Sequence, residues 1–545
     1  MNQNSTYRVS KPVNEPVKSY FPGSTERESL KSKLTELKST QIEIPLIIGG
    51  KEIYTGDLGN CILPHNHQHV LAEYHKVGKK EVDMAIESGL KAWKEWSTTS
   101  WKTRSAIFKK MADLLSDSYR DLLNASTMLS VSKNVYQAEI DSACELIDFY
   151  NFNPWYAQEL YNQQPMYSPT GINNRMEHRP LEGFVFAVTP FNFVSIAGNL
   201  PTAPVLMGNV VLWKPASSAV YPAYHLMKLF QEAGLPDGVI NFIPGAGSQV
   251  GPKVIVHESL AGIHFTGSTI VFHSMWETLG ENIGHYKSYP RIVGETGGKN
   301  FCIAHESAEI DTLVTAMIRG AFEYQGQKCS ALSRCYIPSI IWDTLKAKYL
   351  SEVDTIKMGD VEDFTNFMNA IIDKAAFDTI VEYIEYATNS PDAEIITGGN
   401  YDDTVGYFIE PTTILTTDPH FKTMEDEIFG PVLTVYIYDP DDWVETLKLV
   451  DQTSPYGLTG CVIAQDKKAI NEATRVLTYA AGNFYINDKP TGAIVGQQPF
   501  GGSRASGTND KAGSIFNLIR WVSQRTIKEN FDPPKDYRYP FMGDR

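Results

Sequence analysis

The chain has 545 residues, 42% apolar, 21% charged and 11% aromatic, so it can bury large cores and is excluded from the disordered class. At ~150 residues per domain, that length predicts about three or four units. A net charge of −16 argues against a nucleic-acid surface and an anionic membrane surface, and leaves a small-molecule substrate and copies of itself as the expected partners.

The opening stretch MNQNSTYRVSKPVNEPVK lacks the apolar core of a secretory signal. Its Ser and Thr residues, with Arg8 and Lys11 and no acid before Glu15, are similar to an organelle transit peptide. Residues 1–44 are read as an N-terminal extension. The six cysteines Cys61, Cys144, Cys302, Cys329, Cys335 and Cys461 are scattered and form no CxxC, which points to a reducing compartment rather than a disulfide framework.

From Lys79 to Trp96 the residues Val82, Ala85, Ile86, Leu90 and Trp93 share one face of a predicted helix. Similar spacing through Ile107–Leu123 and Ala138–Tyr150 makes the first part mostly helical. No charge falls between Glu182 and Lys214, but Pro190, Pro201, Pro204, Asn192, Asn199 and Asn209 would leave polar groups unsatisfied in lipid, so this stretch reads as buried core.

A different rhythm starts at Phe184. The runs FVFAV (184–188), VVLW (210–213), VINFI (239–243) and GIHFT (262–266) are separated by helix-length segments such as Ala219–Ala233. That alternation predicts a parallel, doubly wound, nucleotide-binding sheet whose ligands sit beyond the carboxyl ends of the strands. The stretches after those runs are therefore site candidates: Thr189 to Phe193, Lys214 to Ser217, Gly245 to Gly251, and Gly267 with Ser268. A second αβ series runs from Asn300 to about Gly496, with a helix over Ile310–Tyr324. The tail from Ser506 carries too few spaced apolar residues to form a core alone and should pack on another domain or subunit.

Gly245, Gly247 and Gly251 form GxGxxxG, which is not the Rossmann fingerprint and is equally an ordinary strand-to-helix turn. No phosphate-binding GxxxxGK[ST] loop occurs, and His257-Glu258 is followed by Ala261 where a zinc helix needs histidine, so no metal is expected. Cys329 stands among Gly326, Gln327 and Lys328. An ammonium and backbone N–H groups there would favour thiolate, the nucleophilic form, although the local sequence alone leaves a structural cysteine equally open.

Taken with Glu295-Thr-Gly-Gly-Lys-Asn300, Pro190-Phe-Asn192-Phe, Trp213-Lys-Pro-Ala, Phe265-Thr-Gly-Ser268 and Glu427-Ile-Phe-Gly-Pro431, Cys329 completes a set of motifs that resembles the aldehyde dehydrogenase superfamily, in the family's order from about residue 45 to 525. Thr296 stands where the common form has Leu. The resemblance implies Cys329 as nucleophile and Glu295 as general base for thioester hydrolysis. Asn192 and the Cys329 N–H then stabilise the oxyanion of a thiohemiacetal. It also implies NAD as cofactor, held by Thr189, Lys214, Gly267, Ser268, Glu427 and Phe429, with the helix behind Gly267 and Ser268 receiving pyrophosphate. Where many NAD-preferring relatives carry a glutamate three residues after the lysine, this chain has Ser217, so selectivity against NADP is left open.

Two stretches are similar to one branch, the L-glutamate γ-semialdehyde (1-pyrroline-5-carboxylate) dehydrogenases of proline degradation: Gly183 through Phe193, and Ile486 through Gly502 followed by Arg504 to Asp510. A substrate with an α-carboxylate needs anion donors far from the reactive carbon, a role for the Gly492 and Ala493 N–H groups and the Ser330 hydroxyl. By the match, Phe193 and Phe500 sandwich the aliphatic chain; Glu145, on the early helix, is a further candidate to face the ammonium.

The expected fold class is α/β, with the aldehyde dehydrogenase arrangement. A doubly wound Rossmann-like cofactor domain (45–171 and 191–299) joins an α/β catalytic domain (300–505) and a small β oligomerisation element (172–190 and 506–545). That element, a hairpin near Asn173–Pro180 with the tail, implies a homodimer or higher homo-oligomer by strand addition. The branch implies the mitochondrial matrix, with the cytoplasm as the alternative. Rival readings are another semialdehyde substrate such as succinate semialdehyde, a non-catalytic relative, and a cofactor-independent esterase or thioesterase.

Overall fold

The structure, a computed structural model, describes residues 8–543; the first seven residues of the leader-like stretch lie outside the described residues. Two seven-stranded sheets organise the chain. The first runs Arg291–Glu295, Leu260–Thr266, Phe184–Val188, Val210–Lys214 and Ile240–Phe242, all parallel, and then adds the antiparallel strands Leu46–Ile48 and Lys51–Ile53 at one edge. Chain order therefore reverses between Phe184–Val188 and Leu260–Thr266, and a crevice forms at that point beyond the strands' carboxyl ends. Both faces are covered by helices, so these strands are continuous apolar runs.

The second sheet has the order Ala393–Thr397, Thr412–Thr416, Val432–Tyr438, Leu332–Pro338, Asn300–Ala304, Thr459–Ile463 and Asn483–Ile486, with only its first pairing antiparallel. Alternate residues feed opposite cores: Phe301 and Ile303 pack on one face, Cys302 and Ala304 on the other. All six cysteines are reduced and buried.

The charge-free stretch resolves into the buried strand Phe184–Val188, the helix Val194–Leu206 and the strand Val210–Lys214. Among the described residues no helix is long and apolar enough to cross a membrane.

Several expectations need correction. The helical spacing through Ile107–Leu123 is shared by two helices, Trp101–Ser116 and Arg120–Val131, with a break at Asp117 that the spacing does not show. The helix read over Ala138–Tyr150 contains a π-helical turn, Glu139–Glu145, before Leu146–Tyr161. The helix expected to reach Tyr324 ends at Phe322, where Tyr324 and Gln325 take left-handed backbone angles.

The boundary placed at 190 also misassigns Phe184–Val188, which pairs on both sides within the first sheet because it is apolar on both faces. The pairing of Ile172–Pro180 is with Val522–Asn530, a two-stranded antiparallel ribbon rather than a local hairpin. Residues from 506 pack inward before that ribbon begins, and Leu518, Trp521 and Val522 join the core of the first sheet. The N-terminal extension is equally integrated: Leu30 and Leu34 of the helix Thr25–Lys38 are buried in the same core.

Candidate active site

A cleft of about 810 Å³ opens at the switch point of the first sheet and is closed on its far side by the second. It is lined by Thr189, Asn192, Lys214, Gly267, Ser268, Cys329, Glu427 and Phe429, which brings together the proposed nucleophile, one oxyanion donor and every proposed cofactor contact.

Cys329 sits on a short buried loop between the kink at Tyr324–Gln325 and the strand Leu332–Pro338. The loop is held from two sides. The Asn300 side-chain amide donates to the Cys329 carbonyl at 2.7 Å and to the Ala331 carbonyl at 2.8 Å, while its oxygen accepts from the Thr459 N–H at 3.0 Å. The Asn192 amide donates to the Gln327 carbonyl at 3.1 Å, which places the oxyanion donor beside the nucleophile and leaves its second proton for a ligand.

Burial, with the charges of Glu295 and Glu427, pushes the Cys329 thiol far up, against the pull of the Ser330 and Cys329 N–H groups. The expectation that Lys328 favours thiolate is corrected: Lys328 Nζ lies 3.1 Å from the buried Glu323 carboxylate, which Lys489 also contacts at 2.6 Å. That ammonium serves a buried ion cluster, and Cys329 rests as a neutral thiol that needs a proton acceptor.

Glu295 ends the strand Arg291–Glu295, and one carboxylate oxygen accepts from the Gly502 N–H at 3.1 Å. Burial pushes its carboxyl well above the usual range, which suits a group that must take up a proton. The glycines after it, Gly297 and Gly298, do not have positive φ. They are needed for space: a Cβ on Gly297 would lie 2.5 Å from Glu427 Oε2, and one on Gly298 would lie 2.2 Å from the Cys329 carbonyl oxygen.

The cradle fits a dinucleotide. Lys214 closes its strand with Nζ bonded only to the adjacent Pro215 carbonyl (3.1 Å), and burial lowers it to about 8. Ser268 lines the cleft and precedes the helix Thr269–Glu281 with no side-chain cap, so the cap leaves the helix's first N–H groups available to a ligand. The Glu427 carboxylate, raised to about 7 by burial, accepts from the Gly298 N–H at 2.8 Å. Thr189 receives the Trp213 indole N–H at 3.0 Å, and the Phe429 ring meets Phe191 edge-on. Ser217 lies in a short 3₁₀ turn.

The proposed substrate residues Phe193, Ser330, Gly492, Ala493 and Phe500 are not among the residues that line this cleft. Ser330 Oγ and Thr491 Oγ1 are 2.7 Å apart, which ties the nucleophile loop to the turn carrying Gly492 (φ 98°) and Ala493. Phe193 caps the helix that follows Asn192, and the Lys133 ammonium sits 4.3 Å from its ring centroid. Phe500 precedes the glycines that contact Glu295. Glu145, raised to about 8 mainly by burial, accepts from Ser195 Oγ at 3.0 Å within the same helix start.

Sequence reasoning missed Asn300, Thr491 and Asp141. Asp141 accepts from the Val194 and Ser195 N–H groups at 3.0 and 2.8 Å and from Lys133 Nζ at 2.7 Å, and so fixes the helix start beside Asn192. The run Gln137-Ala-Glu-Ile-Asp141 was visible, but its partners lie on other elements.

The model of the aldehyde dehydrogenase family matches residues 56–527. The mitochondrial delta-1-pyrroline-5-carboxylate dehydrogenase of Dictyostelium discoideum is 52% identical over 98% of this chain and 96% of its own. The mitochondrial enzyme of that name from Homo sapiens is 48% identical over 98% and 94%. The solved delta-pyrroline-5-carboxylate dehydrogenase of Mycobacterium tuberculosis bound with NAD superposes with a TM-score of 0.96 at 47% identity, over 99% of this chain and 100% of that one. The family model and these relatives match over most of the sequence, and the residues proposed as nucleophile, oxyanion donor and cofactor contacts line one cleft: the chain belongs to the aldehyde dehydrogenase family.

Proposed function

We propose that the protein oxidises L-glutamate γ-semialdehyde, the open form of 1-pyrroline-5-carboxylate, to L-glutamate with NAD. The observation that carries this reading is Cys329, which faces the cofactor cleft and is joined through Ser330 and Thr491 to the Gly492–Ala493 turn. The relatives that match nearly end to end bear the name of this activity.

NAD, when bound in the cleft, supplies the hydride acceptor; Lys214 and Glu427 would hold its riboses and the start of the helix Thr269–Glu281 its pyrophosphate. Cys329 gives up its proton to the Glu295 carboxylate, whose charge reaches the thiol and which releases that proton to solvent before hydrolysis, and the Cys329 sulfur adds to the aldehyde carbon. The Asn192 amide and the Cys329 N–H stabilise the resulting oxyanion; losing one such donor costs about 2.7–4 kcal/mol in the transition state. After oxidation the acyl group stays on Cys329 as a thioester. Glu295 takes a proton from water as that water adds to the acyl carbon, and the thiolate leaves as glutamate forms. The α-carboxylate would be received by the Gly492 and Ala493 N–H groups and Ser330, the chain by Phe193 and Phe500, and the ammonium by Glu145.

The two sheets mark a cofactor domain and a catalytic domain, and the exposed ribbon of Ile172–Pro180 with Val522–Asn530 is the surface we assign to homodimer formation by strand addition. Relatives named as mitochondrial support the mitochondrial matrix as its location.

The deciding measurement is NADH formation with glutamate γ-semialdehyde and with succinate semialdehyde, using Cys329→Ala as control. We expect a higher kcat/KM for the amino-acid aldehyde, strict dependence on NAD and no turnover by the variant. Preference for succinate semialdehyde would overturn the substrate assignment.

A further inference from the structure

Lys511 is half-buried in the segment that crosses behind Glu295, and it is no part of the cofactor cleft. Its ammonium donates to three neutral oxygens: the Gly482 carbonyl at 2.8 Å, the Gly501 carbonyl at 2.9 Å and Asn483 Oδ1 at 3.3 Å. A lysine that merely tied loops together would need no uncompensated charge, since burying a cation without a counter-charge is costly. The carboxylate whose field it senses is Glu295.

The route between them is a single peptide group. The carbonyl of the Gly501–Gly502 peptide accepts from Lys511, and the N–H of the same peptide donates to Glu295 Oε2 at 3.1 Å. An ammonium on the carbonyl polarises the amide and strengthens its N–H as a donor. The fit at this peptide is tight: a Cβ on Gly501 would lie 3.0 Å from Glu295 Oε1, 3.2 Å from Asn509 Oδ1 and 3.3 Å from the Lys511 backbone nitrogen.

The segment is held in a costly conformation to achieve this. Asn509 and Lys511 both have left-handed angles, φ 56° and 45°. Phe500 and Ala512 lock them by exchanging backbone bonds of 3.1 and 2.8 Å, and the Ser506 carbonyl receives the Thr296 N–H at 2.9 Å.

We propose that Lys511 is a positioning residue that, through the Gly501–Gly502 peptide, holds the Glu295 carboxyl group in place and favours its ionised form against the effect of burial. The inference rests on the reading of Glu295 as the base for thioester hydrolysis. The other charged groups around this pair are Asp510, whose charge opposes ionisation of Glu295 and which is itself bonded to Thr508 (2.6 Å) and near Arg520 (3.4 Å), and the Cys329 thiol.

The test is rapid-mixing kinetics on the full-length enzyme with NAD and glutamate γ-semialdehyde, separating the first NADH formed per subunit from steady-state turnover. Lys511→Met should keep the burst and slow steady-state turnover by about tenfold at neutral pH, with the rise of the hydrolysis rate displaced about one unit toward alkaline pH, one unit being a factor of ten in ionised base. Lys511→Arg should restore most of the rate. Should Lys511→Met fail to fold, Lys511→Gln, which keeps a donor but no charge, is read in its place and should show the same displacement. A wild-type pH profile in the neutral variant, or equal loss of burst and turnover without any displacement, would overturn the proposal. Glu295→Gln separates the two readings: a burst followed by a stall supports the base assignment whatever Lys511 does, whereas normal turnover would remove the assignment itself.

Discussion

The Asn300 side-chain amide lies 2.7 Å from the carbonyl oxygen of Cys329, so the nucleophile's own peptide is anchored by a residue of the neighbouring strand. The same side chain satisfies Ala331 and Thr459. Asn300→Ala would leave three buried backbone groups unpaired at about 1–3 kcal/mol each before relaxation. Denaturant titration should show a loss on the order of 3 kcal/mol. Asn300→Asp should hold the fold better yet slow the NADH burst, because a carboxylate repels both carbonyls. A wild-type burst in Asn300→Asp would count against the anchoring role.

Asn192 makes a kinetic prediction. Its amide is buried and oriented by Gln327, so Asn192→Ala removes a preorganised donor with little effect on packing. The burst rate should fall by roughly 10²–10³ while binding of NAD is unchanged. A burst of normal rate would show that the Cys329 N–H suffices alone.

How much of this was legible in the sequence depends on where each residue finds its partners. Strands such as Phe184–Val188 and Leu260–Thr266 are apolar on both faces, and that pattern is local. The helix Lys79–Trp96 shows itself equally well. The break at Asp117 and the π turn Glu139–Glu145 escaped, because apolar spacing continues across both. In the π turn, Glu139 and Asp141 are matched by Arg120 and Lys133 from other segments. Of the proposed site residues, Cys329, Glu295 and Asn192 stand in motifs that the sequence displays. The roles of Asn300 and Lys511 were not legible there, since each acts on a backbone carbonyl brought to it only by the tertiary fold.

Gly297 and Gly298 should separate cofactor contacts from the nucleophile's scaffold. A Cβ at 297 meets the end of the Glu427 side chain and the edge of the Tyr456 ring, both side chains that can shift, whereas one at 298 meets the Cys329 carbonyl, which is backbone. Gly297→Ala should fold and raise the KM for NAD severalfold. Gly298→Ala should abolish the burst and lower the thermal midpoint. Equal behaviour of the two variants would contradict this division.

Glu145 links pH to stability. Burial and the Asp141 charge raise its carboxyl to about 8, above the ordinary 4.5. A group whose folded value is raised favours the fold fully below its unfolded value, and that contribution is lost as pH rises through the folded one. Between pH 5 and 8 the protein should therefore lose stability on this account, on the order of 2–4 kcal/mol. Denaturation midpoints of Glu145→Gln should be flatter over that range; parallel curves for the two proteins would reject the assignment.

Cofactor affinity should be greatest in a narrow window, because its two proposed ribose contacts titrate from opposite sides. Glu427 accepts hydroxyl hydrogens most strongly as a carboxylate, and burial raises it to about 7. Below that value it is protonated and the charged acceptor is lost. Lys214 donates as an ammonium, and burial lowers it to about 8, so the cation disappears above that value. The free protein therefore carries both charges best between about pH 7 and 8. A hydrogen bond to a charged group contributes about 1.5–3 kcal/mol, so the affinity for NAD should fall at least roughly tenfold on each side. Fluorescence titration from pH 5.5 to 9.5 would measure this, with Glu427→Gln flattening only the acid limb and Lys214→Met only the alkaline one. An affinity independent of pH would mean that neither side chain meets the cofactor in its charged form.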